Sequence, residues 1–197
     1  NQNMADLIDG KEVDIPFFDF VSKNRGGYRK MQVKDNNPII IEGIHALNEV
    51  MTKMIPKEKT FKIYISPQLQ INLDNHNPIS LTNLRLLRRI VRDKKFRNAS
   101  ALRTISMWES VRRGEFKWIY PNQEQADYVY NSGLQYELCV LKKYALPTLN
   151  EVPNDSEHFV TANRLIKFIK YFTDIDDSHV PCNSLLREFI GGSCFTE

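Results

Sequence analysis

The chain has 197 residues, 42% of them hydrophobic, with 27 basic and 24 acidic side chains and a formal net charge of +3. That length and apolar content suffice for a buried core and predict one compact unit. The mild charge balance excludes any whole-chain argument for a nucleic-acid or membrane partner.

Cys139, Cys182 and Cys194 are widely spaced and odd in number, with no CxxC pair or His/Cys cluster. They offer neither a disulfide framework nor a zinc site and suit a reducing compartment. No stretch reaches the roughly 18 apolar residues of a membrane span. Asn1-Gln2-Asn3-Met4 has neither the basic nor the apolar region of a leader, so a soluble cytoplasmic protein is expected. Ala5 to Gly10 reads as the tail of a helix closed by glycine. With Asn at position 1, this predicts that the numbering begins inside a longer protein.

From Gly10 to Met31, Val13-Asp14-Ile15-Pro16-Phe17-Phe18-Asp19-Phe20 and a segment from Tyr28 read as two extended arms. Asn24-Arg25-Gly26-Gly27 is expected to turn between them, and Pro16 keeps the first arm at an edge. Pro38 opens Ile39-Ile40-Ile41, a β-branched run suited to a strand covered on both faces, and Glu42-Gly43 ends it. A helix over His45 to Met54 and a strand over Thr60 to Ser66 complete a strand, helix, strand order, which predicts a parallel sheet. Asn-rich Gln68 to Ser80 reads as a surface connection.

Leu84, Leu87 and Val91 then define one face of a helix from Leu81, with Arg85, Arg88, Arg89 and Arg92 spread over the other and Asn98 interrupting it. Ser100 is a candidate cap for a helix to Gly114, followed by aromatic Phe116 to Tyr120 and a stop at Pro121. Asp127 to Tyr130 suggests a short strand, and Leu134 to Tyr144 a helix. Asn154 with Glu157 resembles a capping box opening a helix to Phe172, and Asn183 is placed to cap a last helix ended by Gly191-Gly192.

Three groups of residues could carry chemistry. Glu42 follows a strand candidate, at the sheet edge where open α/β proteins bind ligands, and could hold magnesium near transferring phosphates; the alternative is a surface or structurally paired carboxylate. Arg85, Arg88, Arg89, Arg92 and Arg97 place five guanidinium groups within 13 residues, a pattern suited to bidentate phosphate binding. A solvated helix face laced with pairs such as Arg89 with Asp93, or a nucleic-acid patch, are the alternatives. Phe17, Phe18, Asp19 and Phe20 with Lys23 and Arg25 combine ring faces for a base with a carboxylate for hydroxyl groups, or else belong to a core. None of the eight glycines lies in G-x-x-x-x-G-K-[ST], and neither G-x-S-x-G nor H-E-x-x-H occurs. His45, His76, His158 and His179 are scattered singly.

In order, three segments resemble the uridine kinase and phosphoribulokinase family. Gly10-Lys11-Glu12-Val13-Asp14-Ile15-Pro16-Phe17-Phe18-Asp19-Phe20 is similar to its substrate hairpin, G-x-x-v-x-x-P-x-Y-D-F. Ile39-Ile40-Ile41-Glu42-Gly43-Ile44 is similar to its v-x-x-E-G-I strand, and Arg88-Arg89-Ile90-Val91-Arg92-Asp93 with Arg97 to its R-R-x-x-R-D-x-x-x-R lid helix. The closing Arg187 to Ser193 resembles a longer bacterial branch in which the kinase follows a threonyl-tRNA-synthetase-like region. The resemblance implies a P-loop α/β kinase fold, a parallel sheet flanked by helices, here shortened at the N-terminus and bearing a substrate hairpin and a helical lid. The whole chain would be the C-terminal portion of a nucleoside kinase domain: hairpin about 10–31, sheet and helices about 38–80, arginine lid about 81–114, C-terminal helices about 121–197.

By the same resemblance Arg92 and Arg97 are expected to be catalytic and Asp19, Phe20, Ile44 and Arg89 to bind substrate, while Phe18, Lys23 and Arg25 are expected to join them in binding substrate by their own chemistry. Glu42 holds magnesium, and ATP and a nucleoside, by default uridine or cytidine, are the partners. Self-association into a homo-oligomer is compatible with the reading, while membrane and nucleic acid are not expected partners. Three departures bear on the substrate: Phe18 replaces the family's tyrosine, Lys23 its base-contacting histidine, and Asn98-Ala99 its Gly-Arg.

Overall fold

The computed structural model describes residues 1–19, 24–34 and 37–195, and these form two compact units where the length predicted one. The first comprises Asn1–Tyr64 with Gly114–Val129, and the second Ile65–Arg113 with Tyr130–Glu197.

The first unit opens with helix α1, Gln2–Ile8, which buries Leu7. Strands β1, Val13–Asp19, and β2, Asn24–Met31, pair antiparallel from Val13 opposite Met31 to Asp19 opposite Asn24, with a bulge between Phe17 and Phe18. The hairpin is as expected, but its glycines are not at the turn: Asn24-Arg25-Gly26-Gly27 opens β2, and residues 20–23 lie outside the described ones. Gly26 is used for close approach. A Cβ there would stand 2.4 Å from Cε2 of Phe17, whose ring lies over the glycine pair.

Ile39-Ile40-Ile41, expected as a buried central strand, belongs to no strand, and Ile40 is 87% exposed. β-branched residues favour an extended backbone, but a strand also needs partners for its N–H and C=O groups. No described segment supplies them here. The helix expected from His45 shortens to α2, Glu49–Thr52, where Asn48 Oδ1 accepts the N–H of Val50 at 3.0 Å. Lys62 O accepts the N–H of Tyr128 at 3.1 Å, and the edge of the His45 ring meets Trp118 with centroids 5.0 Å apart.

Strands β3, Ile63–Ser66, and β4, Tyr128–Asn131, form a second two-stranded sheet. Tyr128 reaches Lys62 and Ser132 reaches Ser66, so both strands advance in the same direction. The larger parallel sheet of the sequence reading is therefore not formed by the described residues, which make two small sheets with helices.

The second unit is helical. Helix α3, Leu81–Arg97, starts where Ser80 Oγ accepts the N–H of Asn83 at 3.3 Å and ends at Asn98, whose φ of 48° is left-handed. Helix α4, Ala101–Gly114, starts beyond Ser100, whose Oγ accepts the N–H of Arg103 at 3.2 Å. Helix α5, Glu137–Asn150, packs on α3 and on α6, Phe159–Ile169. The short α7, Arg187–Ile190, packs on α3. Leu84, Leu87 and Ile90 meet Leu138, Leu141, Leu149, Leu165 and Ile169 in one buried core. The Asn154 capping box is not used, since α6 begins only after His158, and α7 begins after Leu186 rather than at Asn183. No helix among the described residues is long and apolar enough to cross a membrane.

Asp177 ties α5 to the segment between α6 and α7. Its carboxylate accepts a bond from Lys143 Nζ at 2.6 Å and a short one from Tyr144 OH, while Arg187 Nη2 donates to its carbonyl at 2.8 Å. The Lys143 hydrogen bond first, then that of Tyr144, holds this carboxyl well below the usual carboxylate range. A depressed folded pKa contributes stability that is present above the unfolded value and lost as pH falls through the folded one. Asp177→Asn is accordingly expected to lower the urea midpoint at about pH 7, with the deficit shrinking towards about pH 3. A deficit independent of pH would contradict the ionic origin.

Candidate functional site in the arginine helix

Four arginines of α3 have environments that separate them by role. Arg88 is 7% exposed. Its Nε donates to Glu137 Oε2 at 2.5 Å, and its Nη2 donates to Glu137 Oε1 at 2.9 Å and to the Ser132 carbonyl at 2.7 Å. The guanidinium also lies 5.1 Å from the Phe189 ring centroid. Glu137 in turn accepts the N–H of Leu134 at 3.0 Å. This fork-to-fork pair is fully committed inside the unit.

One turn on, Asp93 is 1% exposed and gathers three side chains. Arg97 Nη1 donates to its Oδ1 at 3.0 Å and Thr104 Oγ1 to its Oδ2 at 3.2 Å. Arg89 Nε lies 3.3 Å from Oδ2, close enough for an ion pair but without hydrogen-bond alignment. The i, i+4 spacings 89–93–97 stack these groups along one edge of the helix. Arg92 points to α7, where Nη1 donates to Glu188 Oε1 at 2.9 Å.

Magnitudes decide which guanidinium groups are available to a ligand. Breaking a buried pair such as Arg88–Glu137 costs about 3–5 kcal/mol, whereas an exposed pair contributes about 0–1 kcal/mol. The Glu188 side chain is half exposed, so Arg92 can exchange it for an anionic ligand at small cost, whereas Arg97, itself 56% exposed, can meet a ligand only while keeping the buried Asp93. Nε of Arg92 and Nε of Arg89 are buried without an aligned hydrogen bond, Arg89 Nε facing Asp93 as an ion pair. Arg92 and Arg97 thus fit phosphate oxygens, and Arg89 orients beside them.

The other expected residues belong to the first unit. Phe18 is half exposed and stands opposite Arg25 in the hairpin register. Asp19 ends β1 opposite Asn24, and Phe20 and Lys23 lie outside the described residues. Glu42 is exposed with no ion pair among the described residues, next to Gly43 at φ 141°, and Ile44 is 57% exposed. Among the described residues no group of three His, Cys, Asp or Glu side chains could hold a metal ion. An exposed carboxylate still suits magnesium, which is bound by one or two carboxylates together with substrate phosphates and water.

Sequence reasoning missed Glu137, Glu188 and Thr104 as partners of the arginines. The Arg89–Asp93 pair was legible at i, i+4, but Arg88 to Glu137 spans 49 positions and left no local trace.

Comparison with known proteins bears on the same residues. The model of the phosphoribulokinase / uridine kinase family matches residues 1–138. The chain is 32% identical to the uridine kinases of Staphylococcus aureus strains JH9 and Newman over 134 residues, 67% of this chain and 56% of each relative. It is 43% identical over 54 residues to inorganic pyrophosphatase TTM2 of Arabidopsis thaliana, covering 27% of this chain and 8% of that protein. The chain thus spans about half the length of the uridine kinases it matches.

Proposed function

Since the chain belongs to the phosphoribulokinase / uridine kinase family, we propose that it is the acceptor-side and lid portion of an ATP-dependent nucleoside kinase. The reaction is transfer of the γ-phosphoryl group to a nucleoside 5′-hydroxyl, with uridine or cytidine as acceptor. One observation carries this reading: the family match over residues 1–138 contains the hairpin, the Glu42 segment and the arginines of α3 together. Phe18 and Asp19 would hold the nucleoside, with Phe20, Lys23, Arg25 and Ile44 around it. Magnesium, when bound near Glu42, would neutralise phosphate charge. Arg92 would exchange Glu188 for the oxygens of the transferring group, and Arg97 would turn its exposed edge to them while keeping Asp93, placing positive charge where negative charge is spread in the transition state. Arg89 would keep Asp93 in place during that exchange.

The 197-residue chain alone is expected to show no turnover, because G-x-x-x-x-G-K-[ST] occurs nowhere in it and phosphoryl transfer rests on positioning and charge stabilisation. A coupled assay with ATP, magnesium and a panel of nucleosides tests both statements. It should compare the chain with a polypeptide that joins it to a phosphate-binding loop. Pyrimidine-dependent ADP release only in the joined form supports the proposal; ADP release driven by a sugar phosphate but by no nucleoside would refute the acceptor.

A second reading, a non-catalytic nucleotide- or RNA-binding module, is favoured by one observation: Arg88, Arg89, Arg92 and Arg97 all face carboxylates of the chain itself. Under that reading, alanine at Arg92 or Arg97 weakens RNA binding and flattens its salt dependence.

A further inference from the structure

Cys182 and Cys194 flank α7, and nothing in their spacing along the chain pairs them. After α7, Gly191 and Gly192 adopt left-handed φ of 85° and 76° and turn the chain back. Side chains avoid this conformation, so the glycines make the reversal possible. The reversal brings the N–H of Cys194 to the carbonyl of Cys182 at 3.0 Å. Residues joined in this way lie side by side, as a disulfide with its roughly 4.4–6.8 Å Cα spacing requires. Both thiols are free and exposed, whereas Cys139 is half-buried. The thiols are also close enough to interact: desolvation first, then the neighbouring Cys182 thiol, pushes the Cys194 thiol up.

We infer that Cys182 and Cys194 are a redox couple, a thiol pair that closes to a reversible disulfide and tethers α7 to the preceding loop. The co-reactant is a small-molecule disulfide such as oxidised glutathione. One cysteine thiolate attacks a glutathione sulfur, breaking that S–S bond and releasing one glutathione thiolate, which takes up a proton. The second thiolate attacks the mixed disulfide, forming the Cys182–Cys194 bond and releasing the other glutathione. Two electrons pass from the protein thiols to the glutathione disulfide, and exposure of the bond keeps it open to reduction by the reverse steps. Closure would restrain Arg187 to Ile190, the segment that carries Glu188 to Arg92.

The test is to equilibrate the 197-residue chain with mixtures of oxidised and reduced glutathione, block free thiols and map peptides without reduction. The expected product is a Cys182–Cys194 cross-link, lighter by two hydrogens and reversed by dithiothreitol, with Cys139 still open to alkylation. In the folded chain, half-oxidation should need an oxidised-glutathione level at least about tenfold lower than in concentrated denaturant, because the fold brings the thiols together. Cys182→Ser and Cys194→Ser should each leave the remaining thiol as a glutathione adduct, and amide exchange in α7 should slow in the oxidised chain. Separate adducts on both cysteines, links to Cys139 or to a second chain, or equal oxidation in folded and unfolded chain would overturn the couple. Unchanged exchange in α7 after cross-linking would overturn the tether.

Discussion

Alanine at Arg92 or at Arg97 is expected to lower turnover about 10²- to 10³-fold in a polypeptide that joins this chain to a phosphate-binding loop, with nucleoside KM little changed. That is the size of effect seen when one donor to developing transition-state charge is removed. Equal losses in kcat and kcat/KM would mark an interaction made mainly in the transition state. Lysine should rescue poorly, since it keeps the charge but loses the planar fork that grips two oxygens. Glu188→Gln should leave turnover intact, because it removes only the resting partner of Arg92. If the cluster only holds the helices together, each change should leave kinetics unaltered, and Arg97→Ala should lower stability because Asp93 is buried.

Arg88→Ala or Glu137→Ala is expected to destabilise the second unit by about 3–5 kcal/mol, because either leaves the partner charge buried and unpaired. Glu137 is wholly buried, so water cannot replace the lost guanidinium. Urea denaturation of each single variant and of the double variant would measure it. The double variant should cost clearly less than the sum of the two, since it removes both charges. Additive losses would show that the pair does not act as a unit.

The contrast between Arg88 and Arg92 explains what was legible beforehand. The limits of α3 could be read from the spacing of Leu84, Leu87 and Val91 after the Asn-rich connection, and from Asn98, because these are local signals. The helical wheel placed Arg88 on a polar face, yet it is buried, since Glu137 arrives from a helix far along the chain. Ile39 to Ile41 shows the same limit for strands. Its preference for extended backbone is written in the residues, but a ladder partner is not, and Ile40 and Ile41 stand exposed. Gly26-Gly27 was read as turn chemistry, while its use is room for the Phe17 ring. In the candidate site, the arginine spacing and the local partner Asp93 were visible, and the distant carboxylates of Glu137 and Glu188 were not.

The most direct test of the kinase reading follows the phosphate itself. ATP labelled at the γ position is incubated with uridine, magnesium and the joined polypeptide, and the product is analysed for the position of the label. The account predicts label in uridine 5′-monophosphate, strongly reduced by Arg97→Ala. Label appearing only as inorganic phosphate, or in the nucleotide at an undiminished rate in the Arg97→Ala variant, would contradict it.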